Sequence, residues 1–504
     1  MSKNTAHVDV NIINKAQSTN PPPLGIAFVL GPTERGIPND PSELITSVGQ
    51  FEKAFGGILA TTDFPLMCEQ ALQGGAALRV CKVVGAGATP GQASLFWGGA
   101  AIEQFLDLTS KGYGTYYNDG TKFNADTLPP SNGEAGSFNL MVTDVEAGIT
   151  EVYENLKPTI GLANTQVWAK EIFDTSRLVI PTYIEITGLT GSIVPVGDIA
   201  FTGGLDSIPA EPDYQGIQAN KTGFYAFDDF DDGNVVSTMD QVTETMYAIG
   251  QAYASLRKDM VYIQHLDNLK STSVEIVAFL DPLAATKYAM MVLGGVKVAD
   301  AINGGLKSMM GTGMVLGAIA TSQNTYGPWY SPTAFIRGLL PGASGVVNNF
   351  GSPASQGERN TIANSGGNCI VNKSQTIMLW DAYTMALGNS PEKFFSVIQL
   401  EIYMVDVLKP LLEGFLGEPN HWNTWERIYY TCLPFLNSLV NDEAIYEFKY
   451  NGDQFATSLD DLQINDPTEV GQGIYRIQLQ IKVVVPIVEI TLNIILTENS
   501  VSFV

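Results

Sequence analysis

Residues that carry acid–base, metal or disulfide chemistry are scarce in this sequence. It has only three histidines, His7, His265 and His421, and no two of its four cysteines form a C-x-x-C pair. Zinc sites and disulfide frameworks need clustered cysteines, and acid–base catalysis draws most often on histidine. We therefore expect no metal site, no disulfide framework, no cofactor and no enzyme activity. The cysteines are Cys68, Cys81, Cys369 and Cys432.

Positive charge is also in short supply. The chain carries 27 basic and 52 acidic residues, which gives a formal net charge of −25. Such a surface repels phosphate backbones, so a nucleic-acid partner is not expected. Charged residues of both signs make up only 16% of the chain, below the average of about 25% for soluble proteins. That low share fits a protein that covers much of its surface with neighbouring subunits.

Long apolar runs are missing as well. No stretch of ~18 residues is apolar throughout, as a membrane span requires. The segment Met1–Thr5 leads into no apolar core of signal-peptide length. We expect a protein that is made and folded in the cytoplasm, without a signal peptide for secretion and without a membrane partner.

Glycine is abundant, at 50 residues, but the glycine-rich runs do not match nucleotide-binding motifs. In Gly85–Gly91 the third glycine comes one residue late for G-x-G-x-x-G and Pro90 stands where a helix should begin. The acidic run Asp228–Gly233 is similar to a calcium loop, but Phe230 occupies a ligand position and Met239 replaces the required glutamate. We predict neither a nucleotide site nor a calcium site.

The carboxyl-terminal thirty residues carry the clearest pattern in the sequence, two strand-like runs joined without a turn. Pro486 separates the runs, and the junction lacks the Asn-Gly or Asp-Gly pair of a tight hairpin. The last strand should therefore run on and not fold back. The first run alternates Tyr475, Ile477, Leu479, Ile481, Val483 and Val485 with Arg476, Gln478, Gln480 and Lys482. The second run places Val488, Ile490, Leu492, Ile494 and Leu496 on one face.

The amino terminus has a similar extended arm. Val8, Val10 and Ile12 alternate with polar residues, and Pro21–Pro23 forms a stiff spacer before the first globular signal. Two interpretations of the arms stay open. Each arm adds to a distant edge of its own domain, or identical subunits exchange strands.

The presence of two arms favours strand exchange. The receiving strand is then the first carboxyl-terminal run, through Ile477, Leu479, Ile481 and Val483.

Between the arms the pattern predicts an α/β (α+β) core interrupted by a β-rich insertion. We assign residues 1–23 to the amino-terminal arm and Pro-rich spacer, 24–84 and 198–390 to the two parts of the core, and 85–197 to the inserted domain. Residues 391–485 form a carboxyl-terminal subdomain of helices and strands, and 486–504 form the carboxyl-terminal arm.

Several element assignments within these domains can be checked directly. We predict a helix near Ile149–Leu156, a strand at Gly223–Phe227, and mostly loop from Gly294 to Ser374. Two long helices should follow, at about Pro391–Phe415 and Asn420–Leu439. The apolar stripe of the second should be Trp422, Trp425, Tyr429, Cys432 and Leu436.

Short segments spread over nearly the whole chain resemble the contractile tail sheath family of bacteriophages and related contractile injection systems. No single segment is specific, but their order is. The segments are Gly31–Gly36, Ile45–Ser47, Gln50–Gly57, Gln73–Gly75 with Ala77–Val80, Leu108–Gly114, Tyr153–Leu156, Phe201–Asp206, Asp213–Ile217, Gly367–Ile370, Trp380–Thr384 and Glu418–Asn420.

The resemblance implies a structural subunit that stacks with itself in hexameric rings, as a helical tube around an inner tube. It also implies arms that link neighbouring subunits, and contraction from a metastable extended state that drives the tube through a target envelope. The implied partners are the inner tail tube protein and the baseplate and tail terminator proteins. The implied location is a virion tail or a contractile injection particle, synthesised in the bacterial cytoplasm.

The resemblance also implies that the carboxyl-terminal subdomain faces the inner tube. The possible tube contacts are Asn420, Trp422, Trp425 and Glu426. Two alternatives remain: a capsid or filament subunit that also exchanges strands, and an α/β enzyme with a β-domain insertion.

Overall fold

The computed structural model describes residues 23–98, 102–133, 137–156, 174–184, 192–193, 199–450, 465 and 467–488. The chain divides into a larger compact unit that contains Leu24–Gln399 and a smaller one that contains Leu400–Val484. Mixed α/β architecture with several sheets, which we predicted, is what the structure has.

The described strands are β1 Ile26–Gly31, β2 Ala77–Lys82, β3 Pro90–Gly98, β4 Ile102–Tyr113, β5 Phe123–Leu128, β6 Phe138–Asp144, β7 Ile149–Leu156, β8 Val179–Tyr183, β9 Ser192–Ile193, β10 Ile199–Ala200, β11 Val235–Ser237, β12 Val261–His265, β13 Ala289–Leu293, β14 Val296–Ala299, β15 Leu306–Met309, β16 Gly345–Val346, β17 Gly367–Lys373, β18 Thr376–Leu379, β19 Ile445–Tyr450 and β20 Leu479–Val483. The described helices are α1 Val48–Phe55, α2 Phe64–Gln73, α3 Glu211–Gln215, α4 Glu244–Arg257, α5 Ser273–Leu280, α6 Thr312–Tyr326, α7 Ala334–Arg337, α8 Gln356–Asn364, α9 Phe395–Glu413, α10 Trp422–Asn441 and α11 Pro467–Gly471.

A seven-stranded sheet forms the centre of the larger unit, in the order β18-β17-β13-β12-β11-β1-β2. Its strands are parallel except for β18, which returns antiparallel to β17. Every residue of β1, β12 and β13 is buried. Such continuous apolar runs are typical of parallel strands that are covered on both faces.

Both edges of this central sheet are covered by irregular chain. Along β2, the N–H groups of Asn39, Ser42 and Ile45 donate to the strand's carbonyl groups at 2.8–3.0 Å. Along β18, Leu340 N–H donates to Ile377 O at 3.0 Å and Leu379 N–H donates to Gly338 O at 2.8 Å. These bonds occupy backbone groups that an added strand would need.

Helices α2 and α6 pack closely because small residues face each other. The Cα atoms of Gly74 and Gly317 approach so closely that a Cβ built on Gly317 would lie 2.8 Å from Gly74 Cα. A Cβ on Gly313 would lie 2.1 Å from Met67 O. Contacts this short between backbones leave no room for a side chain.

Residues between β2 and α3 form two four-stranded antiparallel sheets, β10-β5-β6-β7 and β8-β4-β3-β9. Arg35, which follows β1, ties them to the central sheet. Its guanidinium is buried and donates to Tyr116 Oη at 3.0 Å and to Asp144 Oδ1 at 3.4 Å. Tyr116 in turn donates to the same carboxylate oxygen at 2.7 Å.

Three element predictions were wrong. Ile149–Leu156 is strand β7, because it pairs antiparallel with β6. Its half-buried Glu151 and Tyr153 alternate with the exposed Val152 and Glu154. Gly223–Phe227 is a 3₁₀ helix. Gly294–Ser374 is not mostly loop, because it contains the 15-residue helix α6 and the sheet strand β17.

The glycine contact between α2 and α6 gives a matched pair of substitutions. Gly317→Ala should lower the free energy of unfolding by about 2 kcal/mol, because the added methyl group meets backbone. Gly357→Ala in α8 has no atom within 4 Å of the new Cβ and should raise it by about 0.5 kcal/mol, through helix propensity. Urea unfolding of the two full-length variants checks both signs. Equal effects would contradict the packing described for α2 and α6.

Candidate subunit-contact site

Helices α9 and α10 form the core of the smaller unit. Val407, Leu408 and Leu411 of α9 are in one buried cluster with side chains of α10. Helix α10 begins where His421 Nδ1 accepts the N–H of Thr424 at 3.3 Å. Burial raises the pKa of the Cys432 thiol in this cluster to about 11, so it stays protonated near neutral pH.

The buried stripe of α10 differs in part from the predicted one. Trp425, Cys432 and Leu436 are buried as expected, whereas Trp422 and Tyr429 are only half-buried. Ile428 and Leu439 are buried in addition. The actual stripe follows steps of three and four residues, which matches the pitch of an α-helix.

Strands β19 and β20 form a two-stranded antiparallel sheet in the smaller unit. Phe448 lies opposite Ile481, and Tyr450 lies opposite Leu479. The odd-numbered side chains Leu479, Ile481 and Val483 are half-buried, and the even-numbered ones between them are exposed. Leu479 and the preceding Ile477 pack against the helix cluster. The alternation read in the first carboxyl-terminal run is therefore present.

Neither strand of this small sheet pairs with a third strand in the part of the chain that the structure describes. A two-stranded sheet is marginally stable alone in water and needs a third strand or a packed helix. Helix packing covers one face here, and no further strand lies along either outer edge within the described residues. This arrangement differs from that of the central sheet, whose edges are covered.

Asn420 and aromatic rings hold the chain before β20 against α10. Trp425 Nε1 donates to Asn420 Oδ1 at 2.7 Å, and the amide of Asn420 donates to Val470 O and Ile474 O, both at 3.1 Å. The ring of Trp425 stacks on Tyr475 with centroids 5.2 Å apart and planes 3° from parallel. These contacts fix the direction in which the chain enters β20.

The predicted arm residues lie mostly outside the described residues. This holds for Val8, Val10 and Ile12, and also for Ile490, Leu492, Ile494 and Leu496. Val488 is described, and its side chain is 64% exposed beyond the end of β20. Ile487 beside it is 82% exposed, so this apolar chain has no cover within the described structure.

The four predicted tube-contact residues lie at the start of α10. Trp425 is only 5% exposed and packs inside the smaller unit, whereas Asn420, Trp422 and Glu426 are half-buried. Contact with a tube stays a prediction for this end of the helix.

Sequence reasoning missed β19 as the partner of β20. The signal was present, since Tyr446, Phe448 and Tyr450 alternate with Glu447 and Lys449. Alternation of this kind over five residues is typical of a strand.

Neither the cleft beside the central sheet nor the acidic run brings reactive side chains together within the described residues. A cleft of about 420 Å³ lies beside the carboxyl ends of β1 and β2. Burial lowers the pKa of Lys82 in its wall to about 8, but Lys82 Nζ donates to Tyr113 O at 2.8 Å and to Glu34 O at 3.3 Å. In the acidic run, Asp229 pairs with Lys221 and Asp232 pairs with Arg79.

Metal and membrane features are also lacking in the described part of the chain. It holds no group of three or more His, Cys, Asp or Glu side chains placed to bind a metal ion. None of its helices is long and apolar enough to cross a bilayer.

Comparison with known proteins gives a clear result only at the level of structure. No family model and no curated protein matches the sequence. A sheath tail protein of Listeria innocua matches with a TM-score of 0.57 at 12% identity, over 84% of this chain and 86% of that chain. A sheath tail protein of Desulfitobacterium hafniense matches with a TM-score of 0.54 at 14% identity, over 85% and 90%.

A third match spans almost the full length of both chains. It is a chain of the anti-feeding prophage baseplate in its contracted state, with a TM-score of 0.56 at 12% identity over 99% of this chain and 98% of that one. These matches define a mixed α/β fold shared by chains of contractile particles. It is the fold of the sheath tail proteins, as the resemblance in the sequence implied.

The Asn420 contacts give a local prediction. Asn420→Ala should destabilise the smaller unit by about 1–2 kcal/mol, since the Trp425 N–H and two carbonyl groups lose their partner. Backbone hydrogen exchange should speed up at residues 470–475. Asn437→Ala, on an exposed position of α10, is the control and should leave exchange unchanged. Identical exchange in the two variants would contradict the role of Asn420.

Proposed function

We propose that this chain is the structural subunit of a contractile tail sheath. The observation that carries the proposal is the β19–β20 sheet, whose strands pair with no third strand within the described residues, in a chain that otherwise has the fold of the sheath tail proteins. An open edge binds an extended strand through backbone hydrogen bonds, each worth about 0.5–1.5 kcal/mol. The side chains of the added strand then set its register.

The strands that fill these edges come from neighbouring copies. The carboxyl-terminal arm 486–504 carries an apolar face on alternate residues, which fits the half-buried face of Ile477, Leu479, Ile481 and Val483. The amino-terminal arm 1–23 provides a second strand through Val8, Val10 and Ile12. A strand given to the next copy makes a head-to-tail contact that does not close on itself, and such contacts build helices of open length.

The subunits then stack as rings of six around an inner tube and pass from a metastable extended state to a contracted one. Contraction needs units that move as rigid bodies and tethers that keep them connected. The buried Arg35–Tyr116–Asp144 network supports rigidity within the larger unit, and the arms are the tethers. Core segments 24–84 and 198–390 and the inserted domain 85–197 move together in this proposal.

Other proteins of the particle bind at defined places. The inner tail tube protein contacts the carboxyl-terminal subdomain 391–485 at the start of α10, near Trp422 and Glu426. Baseplate and terminator proteins bind at the two ends of the sheath, and the match to a chain of a contractile baseplate supports the first of these. The particle is a virion tail or a contractile injection device, and its sheath is a mechanical and not a catalytic component.

Electron microscopy of the full-length chain tests this function. Negative-stain images should show long hollow tubes, and a variant ending at Val485 should remain unassembled, because its donor strand is missing. Circular dichroism of the truncated variant must match the full-length chain, so that loss of assembly is not loss of folding.

Two point variants sharpen the test within the arm. Leu492→Asp places a charge on the apolar face of the arm and should abolish tubes, whereas Asn493→Asp on the opposite face should not. Tubes from Leu492→Asp, or from the truncated chain, would contradict strand exchange through this arm.

A further inference from the structure

Two cations that form no ion pair within the described residues lie against aromatic rings at the β18 edge of the central sheet. Trp380 follows β18, and Phe335 of α7 packs edge-on against it with centroids 6.2 Å apart. Lys373 Nζ lies 4.2 Å over the Trp380 ring. Arg337, two residues beyond Phe335 on α7, is the second cation. Its guanidinium lies over the rings of Tyr326 and Tyr330. We call the following set the cationic patch: Tyr326, Tyr330, Phe335, Arg337, Lys373 and Trp380.

The patch is open and apolar in addition to being charged. Phe335 is 46% exposed and Tyr326 is 42% exposed, and Ile336, next to Arg337 on α7, is 69% exposed. Single exposed apolar residues are ordinary, but a surface that combines Trp, Tyr and Arg has the composition of an interface centre.

Arg337 differs from most arginines of the chain in having no carboxylate partner within the described residues. Most described arginines pair with a carboxylate: Arg35, Arg79, Arg257, Arg427 and Arg476. Within the described residues, Arg337 and Lys373 form no such ion pair, and neighbouring Arg359 donates to the carbonyl groups of Phe350 and Ser352. Asp381 is the carboxyl that acts on Arg359 at longer range. Unpaired cations on a chain with a net charge of −25 will attract an acidic partner.

The densest acidic run of the chain lies at the other edge of the same sheet. Asp228–Asp232 has four carboxylates in five residues. Asp232 receives two bonds from Arg79 Nε and one from Arg79 Nη2 at 2.6–2.9 Å, and Arg79 belongs to edge strand β2. Asp229 is 63% exposed and pairs with Lys221, which is itself 56% exposed, and Asp231 is exposed without an ion pair in the described structure. We call Asp228–Asp232 the acidic loop.

The two features are therefore separated by the width of the sheet. Seven strands have six gaps of about 4.8 Å, so β18 and β2 lie about 29 Å apart. Irregular chain covers the backbone at both edges, so copies cannot join there by strand pairing. Side-chain contact is what these edges can offer to a neighbour.

We propose that the cationic patch of one copy binds the acidic loop of a second copy. The first copy then keeps its acidic loop free and the second keeps its cationic patch free, so the contact is head-to-tail and extends from copy to copy. It is a lateral link that uses side chains and is separate from strand addition at β20. The inference rests on the proposed function in one respect, that copies of this chain assemble with each other.

Self-association of the full-length chain as a function of salt tests the link. Sedimentation velocity should show association at about 20 mM salt that falls steeply by about 500 mM, because exposed charges are screened within a Debye length. A patch variant, Arg337→Glu with Lys373→Glu, should associate about tenfold more weakly at low salt. A loop variant, Asp229→Lys with Asp231→Lys, should lose association to a similar degree.

Mixing the two variants identifies the partner surfaces. Each alone brings like charges together, but in the mixture every patch meets a loop of opposite charge, so association should return. The control variant, Lys53→Glu with Lys409→Glu, reverses two exposed cations elsewhere and should associate like the wild type. Failure of the mixture to associate, or an equal loss in the control, would overturn the proposal.

The outcome separates this inference from the proposed function. Tubes that form equally well from wild type, patch variant and loop variant would overturn the lateral link and leave strand exchange standing. Salt-sensitive association that depends on the patch, in a chain that forms no tubes, would support the link and contradict the sheath function.

Discussion

Unpaired strand edges are the constraint on which this structure depends. In the central sheet, residues near Ile45 and Leu340 bond to the outer strands and occupy the groups that another strand would use. In the smaller unit, β19 and β20 have no such cover within the described residues. Among the described sheets, the largest therefore has covered outer strands and the two-stranded one does not, and covering an edge is a common way to prevent uncontrolled pairing.

Two sets of buried contacts hold the larger unit in one shape. Backbone contact between α2 and α6 at Gly74 and Gly317 allows little sliding. The Arg35–Tyr116–Asp144 network, buried between the central sheet and the inserted sheets, holds these layers in one arrangement. A bonded charge network of this kind is costly to break in a low-dielectric interior. The proposed sheath function requires such internal stiffness, since its subunits rotate as one body during contraction.

The sequence was sufficient for features that depend on local periodicity. Alternation predicted the face of Leu479, Ile481 and Val483, and the ordered family segments predicted the fold. Periodicity failed for α6, which is buried nearly all round and rich in small residues, so no polar face marked it as a helix. It also failed for β7, whose exposed Ile149 and Val152 blur the alternation. The cationic patch could not be predicted, because topology brings together residues from positions 326 to 380.

The most direct test of strand exchange is disulfide cross-linking between β20 and the arm that follows it. The native cysteines are all buried, so a Lys482→Cys chain with a second cysteine at Glu489, Thr491 or Asn493 reports on strand neighbours on the polar face. Adjacent strands bring such pairs within about 4.5–5.5 Å. After mild oxidation of assembled protein, strand exchange between copies predicts a ladder of multiples of 54.3 kDa on a non-reducing gel. Cross-links confined to single chains would mean that the arm pairs within its own subunit, and would contradict strand exchange between copies.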